Sequence, residues 1–204
     1  MRRLVIDSAT EACSVALFEG DILVAGEFAL LGRGHAERLV PMISALPGHG
    51  RAGEILVNAG PGSFTGIRVG LAAAKALAMA WSAQLLGYQT HDLLAAMARA
   101  ARGGVSLTAV TTGGHGEWFV RPYGADGAAL AEVASLTPEQ ACAALASGLA
   151  VGSQAEALIA RAGQGEFLDL RPDAREAHLL PESVLFPAPS PVYGRAPDAR
   201  LPAA

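Results

Sequence analysis

The stretch Leu56-Val-Asn-Ala-Gly-Pro-Gly-Ser-Phe-Thr-Gly-Ile-Arg-Val-Gly-Leu-Ala-Ala-Ala-Lys75 runs from an apolar strand through a glycine turn into a helix with almost no charge. From residue 66 to residue 82 the only charged side chains are Arg68 and Lys75, so the spacing predicts a helix buried nearly all round. Gly66, Gly70, Ala74 and Ala78 recur every four residues along one ridge, and a ridge of small residues lets another backbone come close. Ile67, Leu71 and Trp81 lie beside it and add apolar area. This is more packing surface than one small lobe needs, and a partner helix is the expected use of the surplus.

On the N-terminal side of it, residues 3–7, 13–18 and 22–28 read as three strands, with Glu19-Gly20-Asp21 as a tight turn. Residues 35–46 carry Leu39, Met42, Ile43 and Leu46 at i, i+3, i+4 and i+7, the stripe of an amphipathic helix. Pro41 within it bends the helix or marks where its regular part begins. A strand at 54–58 and the glycine turn with its helix complete the order βββαβα, and a short strand at 85–87 and a helix at 92–101 follow. The remainder repeats that order in shorter form: strands at 107–112, 117–123 and 129–133, a helix at 138–146 opened by Thr137-Pro138, a strand at 149–152 and a helix at 154–162. Two copies of βββαβα predict an α/β fold of the two-lobed actin-like (ribonuclease H-like) ATPase type. The first lobe would span 1–102 and carry the partner-binding helices. A smaller, truncated second lobe would span 103–204 and end in a proline-rich tail that wraps the surface. Within the tail, residues 178–183 are expected to form a helical turn, and Val192-Tyr193 to lie extended against a lobe.

A chain of 204 residues with 51% hydrophobic content has enough apolar surface for a core without metals or disulfides. Cys13 and Cys142 make no disulfide framework and have no metal-ligand spacing, which favours a reducing compartment, expected to be the cytoplasm. No stretch approaches the ~20 apolar residues of a membrane span, so no membrane association is expected. The net charge of −4, with Arg2-Arg3 as the only adjacent basic pair, excludes an autonomous nucleic-acid binder.

Residues 7–17 (Asp-Ser-Ala-Thr-Glu-Ala-Cys-Ser-Val-Ala-Leu), 35–43 (His-Ala-Glu-Arg-Leu-Val-Pro-Met-Ile) and 60–71 (Gly-Pro-Gly-Ser-Phe-Thr-Gly-Ile-Arg-Val-Gly-Leu) together resemble the TsaB (YeaZ) family. Residues 193–200 (Tyr-Gly-Arg-Ala-Pro-Asp-Ala-Arg) resemble its C-terminal signature. The resemblance implies a non-catalytic accessory subunit for making N6-threonylcarbamoyladenosine beside the anticodon of tRNAs that read ANN codons. The implied partners are a TsaD-like catalytic paralogue, as a heterodimer, and a TsaE-like ATPase in the larger complex. Contact with tRNA would come only through the complex, and a homodimer would form when the chain is alone. It also implies that the two first-lobe helices dock in a four-helix bundle. The expected interface residues are then Leu39, Met42, Ile43, Leu46, Gly66, Ile67, Gly70, Leu71 and Ala74, although the stripe from Leu39 to Leu46 read without the resemblance is intramolecular core. A standard interface buries roughly 800 Å² per partner, within reach of two such helices.

The chemistry of a catalytic relative is not matched residue by residue. The His-x-x-x-His metal pair of the paralogue falls on Thr90 and Leu94, and His91 and Asp92 point to different sides of the element they begin. Actin-like ATPases bring an acidic residue from each lobe to the metal and nucleotide; Asp7 serves for the first, but the second reads Thr111-Thr112-Gly113-Gly114. Asp7, Ser8, Thr10, Gly60, Gly62 and Ser63 are therefore expected to be a vestigial phosphate loop, with no cofactor, no metal and no catalytic residue. A glycine turn before a helix can hold phosphate on its amides or simply join buried elements, and no lysine follows to neutralise a γ-phosphate. The family's common arginine before the glycine turn is replaced by Ala59, and an Asp-Ala-Arg-Arg-Gly-Glu segment by residues 111–117, which removes two positive charges from the second lobe. His35 is expected at a helix start rather than in acid-base work with Glu37, and Ser63 and Thr65 lack the base and acid of a serine hydrolase. The alternative from another class is a free-standing actin-fold ATPase or small-molecule kinase.

Overall fold

The computed structural model describes residues 1–145 and 148–194. Strands β1 (Arg2–Asp7), β2 (Ala12–Glu19) and β3 (Ile22–Leu30) form an antiparallel meander, with Asp7 opposite Ser14 and Ala12 opposite Leu30. Helix α1 (His35–Ala45) then leads to β4 (Glu54–Asn58), α2 (Phe64–Trp81), β5 (Gln84–Tyr88) and α3 (Thr90–Arg102). β1, β4 and β5 run parallel, so Asp7, Asn58 and Tyr88 come together at one end of the sheet. The second lobe contains β6 (Leu107–Thr112), β7 (Trp118–Tyr123), β8 (Ala134–Leu136), α4 (Pro138–Ala143), β9 (Leu149–Val151), α5 (Ala155–Ala162) and β10 (Glu166–Leu168). Its sheet order, β10-β9-β6-β7-β8, repeats the β5-β4-β1-β2-β3 order of the first lobe, the ribonuclease H-like arrangement expected from the duplicated βββαβα pattern.

Period-two alternation divides the first sheet between two cores. Leu4, Ile6, Val15, Leu17, Ile55 and Val57 face α1 and α2, whereas Val5, Ala16, Phe18 and Leu56 face the opposite side with Tyr88 and Leu93. α3 is shared between the lobes: Leu93 joins this second core, while Leu94, Ala95 and Ala98 pack on Leu107, Ala109 and Val151 of the other sheet. On the outer face of that sheet Val110, Trp118 and Val120 meet Ala141, Ala155 and Leu158 of α4 and α5.

Two expectations need correction. The third strand of the second lobe is Ala134–Leu136 rather than 129–133; residue 129 makes only an isolated bridge to Tyr123. α4 ends at Ala143, and Ala146 of the expected helix lies outside the described residues. α1 starts at His35, as expected, and runs through Pro41, which sits on its exposed side, to Ala45.

The division 1–102 and 103–204 is corrected as well. The chain returns to the first lobe, where a 3₁₀ turn at Ala174–Leu179 places Ala174 and Ala177 against Val5, Ala16 and Phe18, and β11 (Phe186–Pro187) pairs with β5. The physical reason is coverage: α3 alone leaves much of that sheet face open. Prolines suit this role, because a short edge strand tolerates the missing donor.

Candidate functional site

The carboxyl end of the first sheet is where open α/β sheets bind ligands, and here it is closed by its own side chains. The Asp7 carboxylate accepts hydrogen bonds from Asn58 Nδ2 and Tyr88 Oη, each at 2.8 Å, and from the Ala9 amide at 3.3 Å. Asn58 Oδ1 in turn accepts from the Gly60 amide at 2.8 Å and lies 3.1 Å from Thr90 Oγ1. Asp7 is fully buried, and burial pushes its carboxyl up to about 7 against the lowering effect of Asn58, Tyr88 and the Ala9 amide. Burial, with the Asp7 charge beside it, also holds the Tyr88 phenol well above its usual range. Asn58 and Tyr88 were not among the expected site residues; their strand-end positions, matching Asp7 on parallel strands, are the signal for them.

The loop residues bond to one another and to the neighbouring backbone. Ser8 Oγ donates to the Gly66 carbonyl at 2.9 Å, the Ser63 amide donates to the Ala9 carbonyl at 2.6 Å, and Thr10 Oγ1 accepts from the Ala12 amide at 3.2 Å. A Cβ at Gly62 would stand 1.9 Å from the Ala9 carbonyl oxygen, and one at Gly66 2.1 Å from that of Ser8. A Cβ at Gly70 would stand 2.5 Å from Ser8 Oγ. The small-residue ridge of α2 therefore is a close approach, but to the β1–β2 turn of its own lobe. Ser63 caps α2 by accepting the Gly66 amide at 3.3 Å.

The expected interface side chains are corrected in the same way. Leu39, Met42, Ile43 and Leu46 of the α1 stripe are buried, as are Ile67, Leu71 and Ala74 of α2, and all pack on the first sheet. With Gly66 and Gly70 against Ser8, none of the nine faces outward. The outward side of the same two helices carries Val40, Phe64 and Met79, exposed at 61%, 57% and 83%, together with Ala72 and Ala76. Arg68 and Lys75 are the only charges on the α2 part of this face. The signal was present as the i, i+4, i+7 series Ala72, Ala76 and Met79, opposite the ridge.

The metal-pair positions of the catalytic paralogue do not fit a metal. Thr90 Oγ1 donates to the Pro61 carbonyl at 2.7 Å, and Leu94 lies in the inter-lobe core. His91 is fully buried with Nε2 3.1 Å from Thr111 Oγ1, and burial, aided by the Arg121 charge, pushes it down to about 3. Among the described residues no group of three or more His, Cys, Asp and Glu is placed to hold a metal ion. His35 Nε2 lies 3.3 Å from the Ala12 carbonyl at the start of α1. No helix of the described residues is long and apolar enough to cross a membrane.

Residues 29–170 match the family model described as TsaD, tRNA N6-adenosine threonylcarbamoyltransferase. The tRNA threonylcarbamoyladenosine biosynthesis protein TsaB of Escherichia coli is 36% identical over 131 residues, 62% of this chain and 56% of that protein. The TsaB protein of Haemophilus influenzae is 39% identical over 104 residues, 48% of this chain and 42% of its own. The chain thus spans about half the length of the curated relatives it matches. Among solved structures, a Pseudomonas aeruginosa protein described as uncharacterized with similarity to peptidase YEAZ superposes with a TM-score of 0.77 at 27% identity, over 95% of this chain and 99% of that one. With the family model covering most of the sequence, the chain belongs to the family it describes, on the TsaB (YeaZ) branch.

Proposed function

We propose that this protein is a non-catalytic subunit in the formation of N6-threonylcarbamoyladenosine on tRNAs that read ANN codons, and that it works by docking on and activating a TsaD-like catalytic partner in the cytoplasm. The observation that carries the reading is the sealed strand end: Asp7 is fully buried and engaged by Asn58 and Tyr88. A body with the outline of an ATPase and a filled catalytic end is suited to binding. The docking surface moves from the nine residues expected first to the outward side of α1 and α2, centred on Val40, Phe64 and Met79. A TsaE-like ATPase joins the larger complex, tRNA is reached only through it, and the same outward face pairs two copies when the partner is missing. The net charge of −4 supports a role in which another subunit supplies the cationic surface.

The free-standing ATPase or kinase reading is weaker, because it needs Asp7 accessible to a metal and nucleotide. The test is reconstitution of the tRNA modification from a TsaD-type protein, a TsaE-type ATPase and a source of threonylcarbamoyl-adenylate, with and without this chain. Modification should depend on the chain, and Met79→Asp should abolish both co-purification with the TsaD-type protein and the stimulation while leaving the melting temperature unchanged. Full activity without the chain, or with Met79→Asp, rejects the proposal. Turnover of Mg-ATP by the isolated chain would favour the second reading.

A further inference from the structure

The tail does more than cover the first sheet. At residues 192–194 it crosses from one lobe to the other. The Val192 amide donates to the Ala59 carbonyl at 2.7 Å, just where β4 gives way to the glycine turn. Its carbonyl oxygen lies so close to Gly60 that a Cβ there would stand 2.4 Å away, and Gly60 has φ +105°, a conformation open to glycine. Two residues on, a Cβ at Gly194 would stand 2.6 Å from the ring of Phe119 on β7 and 3.1 Å from Pro61. Both sides of the crossing are thus shaped by a missing side chain, one on the lobe and one on the tail. Between them the Tyr193 ring stacks on Phe64 at 5.2 Å, 28° from parallel, and the Arg68 guanidinium sits 5.0 Å from the centre of the Phe64 ring.

We propose that residues 192–194 are a releasable strap that ties the glycine turn of the first lobe to β7 of the second and sets the relation between the lobes. The lobes share the α3 core on one side, and an interface between such units is by default one that moves. The strap is a further tie. Among the described residues its grip on the first lobe consists of one backbone hydrogen bond and one ring stack whose members are exposed at 38% and 57%, and its grip on the second is the close approach of Gly194 to Phe119. Such a segment belongs to the low-stability end of a structure, where local opening occurs without global unfolding. The inference stands whether or not the partner reading is correct, since it concerns contacts within one chain.

The test uses spin labels at Asp21→Cys on the β2–β3 turn and Glu156→Cys on α5, one exposed site in each lobe, in a Cys142→Ala background. Distances in the intact chain are compared with those in Gly194→Val, whose side chain collides with Phe119, and in a chain ending at Pro191. In both, the inter-lobe distance distribution should widen about twofold, and amide exchange at Gly62 and Ser63 should speed about tenfold while that of Val15 to Leu17 does not change. A distribution and exchange rates equal to those of the intact chain overturn the proposal. So does loss of cooperative folding in both variants, because the tail would then be core and not a strap.

Discussion

Asp7 and His91 are two buried titratable groups whose shifts act against each other. The Asp7 carboxyl, raised from 3.8 to about 7 chiefly by burial, stays protonated in the folded chain at pH values where the unfolded chain has already lost the proton. Its contribution is complete below pH 3.8 and is lost as pH rises through 7. His91, lowered from 6.5 to about 3 by burial and then by Arg121, behaves in the reverse sense. Its contribution is complete above pH 6.5 and is lost as pH falls towards 3. Between about pH 4 and 6.5 the unfolded chain binds one proton fewer at Asp7 and one more at His91, so the two slopes cancel. Asp7→Asn should unmask His91: stability from urea unfolding should then rise with pH over that window, by up to about 1.4 kcal/mol per pH unit. An unchanged pH profile in this variant would show that Asp7 titrates normally. A second residue-scale expectation concerns Gly70. Alanine is favoured over glycine in a helix by about 1 kcal/mol, yet Gly70→Ala should destabilise by about 1–3 kcal/mol because its methyl meets Ser8 Oγ. Ser8→Ala removes that oxygen, and a double-mutant cycle in chemical unfolding should show the pair to be less harmful than the sum. The sequence displayed the four-residue glycine spacing plainly, but not which backbone fills the groove. That depends on β1 and β2 bringing Ser8 over α2, a contact across 58 residues of chain.

At the scale of elements, the regular pieces were legible because their periods are strong. β4 and β6 were legible to the residue, while α2 begins at Phe64, two residues before the expected 66, because Ser63 caps it. The weak point was the outcome of amphipathicity: a stripe of leucine, methionine and isoleucine says which face is apolar, not whether it meets its own sheet or another chain. On α1 and α2 the strongest stripe went inward, and the weaker apolar face stayed outside. Two substitutions on α2 separate the faces. Leu71→Ala should cost about 2–5 kcal/mol, as for other buried leucines, whereas Met79→Ala should stay within about 0.5 kcal/mol of the parent. Comparable losses from the two, measured by denaturant midpoint, would contradict the assignment of inner and outer faces. The β8 shift has a different origin. Residues 124–128 form a hairpin turn in which Asp126 Oδ1 accepts the Ala128 amide at 3.0 Å and the Gly124 amide reaches the Ala128 carbonyl at 2.9 Å; residue 129 then bridges Tyr123, but the regular ladder with β7 resumes only at Ala134, opposite Val120. Nothing in Ala128-Ala-Leu-Ala-Glu-Val-Ala134 marks where the ladder resumes.

For the whole molecule, the duplicated pattern was readable from the sequence, but the joint between its halves was not, because the residues that make it are scattered over β7 and the start of α3. Asp92, in the first turn of α3, accepts from Arg121 Nη1 at 3.1 Å and from Tyr123 Oη at 2.8 Å, both on β7. Arg121 also donates to the Ala131 carbonyl at 3.1 Å and to Gln89 Oε1 at 3.3 Å. Burial raises the Asp92 carboxyl, and the Tyr123 and Arg121 donors pull it back. The side chains of Arg121 and Asp92 are only 11% and 8% exposed, so each charge has exchanged water for the other. A buried ion pair of this kind contributes little net stability when whole, yet leaves an uncompensated charge when one partner is removed. Arg121→Leu should therefore destabilise by about 3–5 kcal/mol, and Asp92→Leu by a similar amount. The double variant should be markedly less harmful than the sum of the two, because leucines at both positions extend the apolar contact between α3 and β7. Additive losses in the double variant, read from equilibrium unfolding, would mean that the two groups act separately and that the lobes are held chiefly by the leucine and alanine packing of α3.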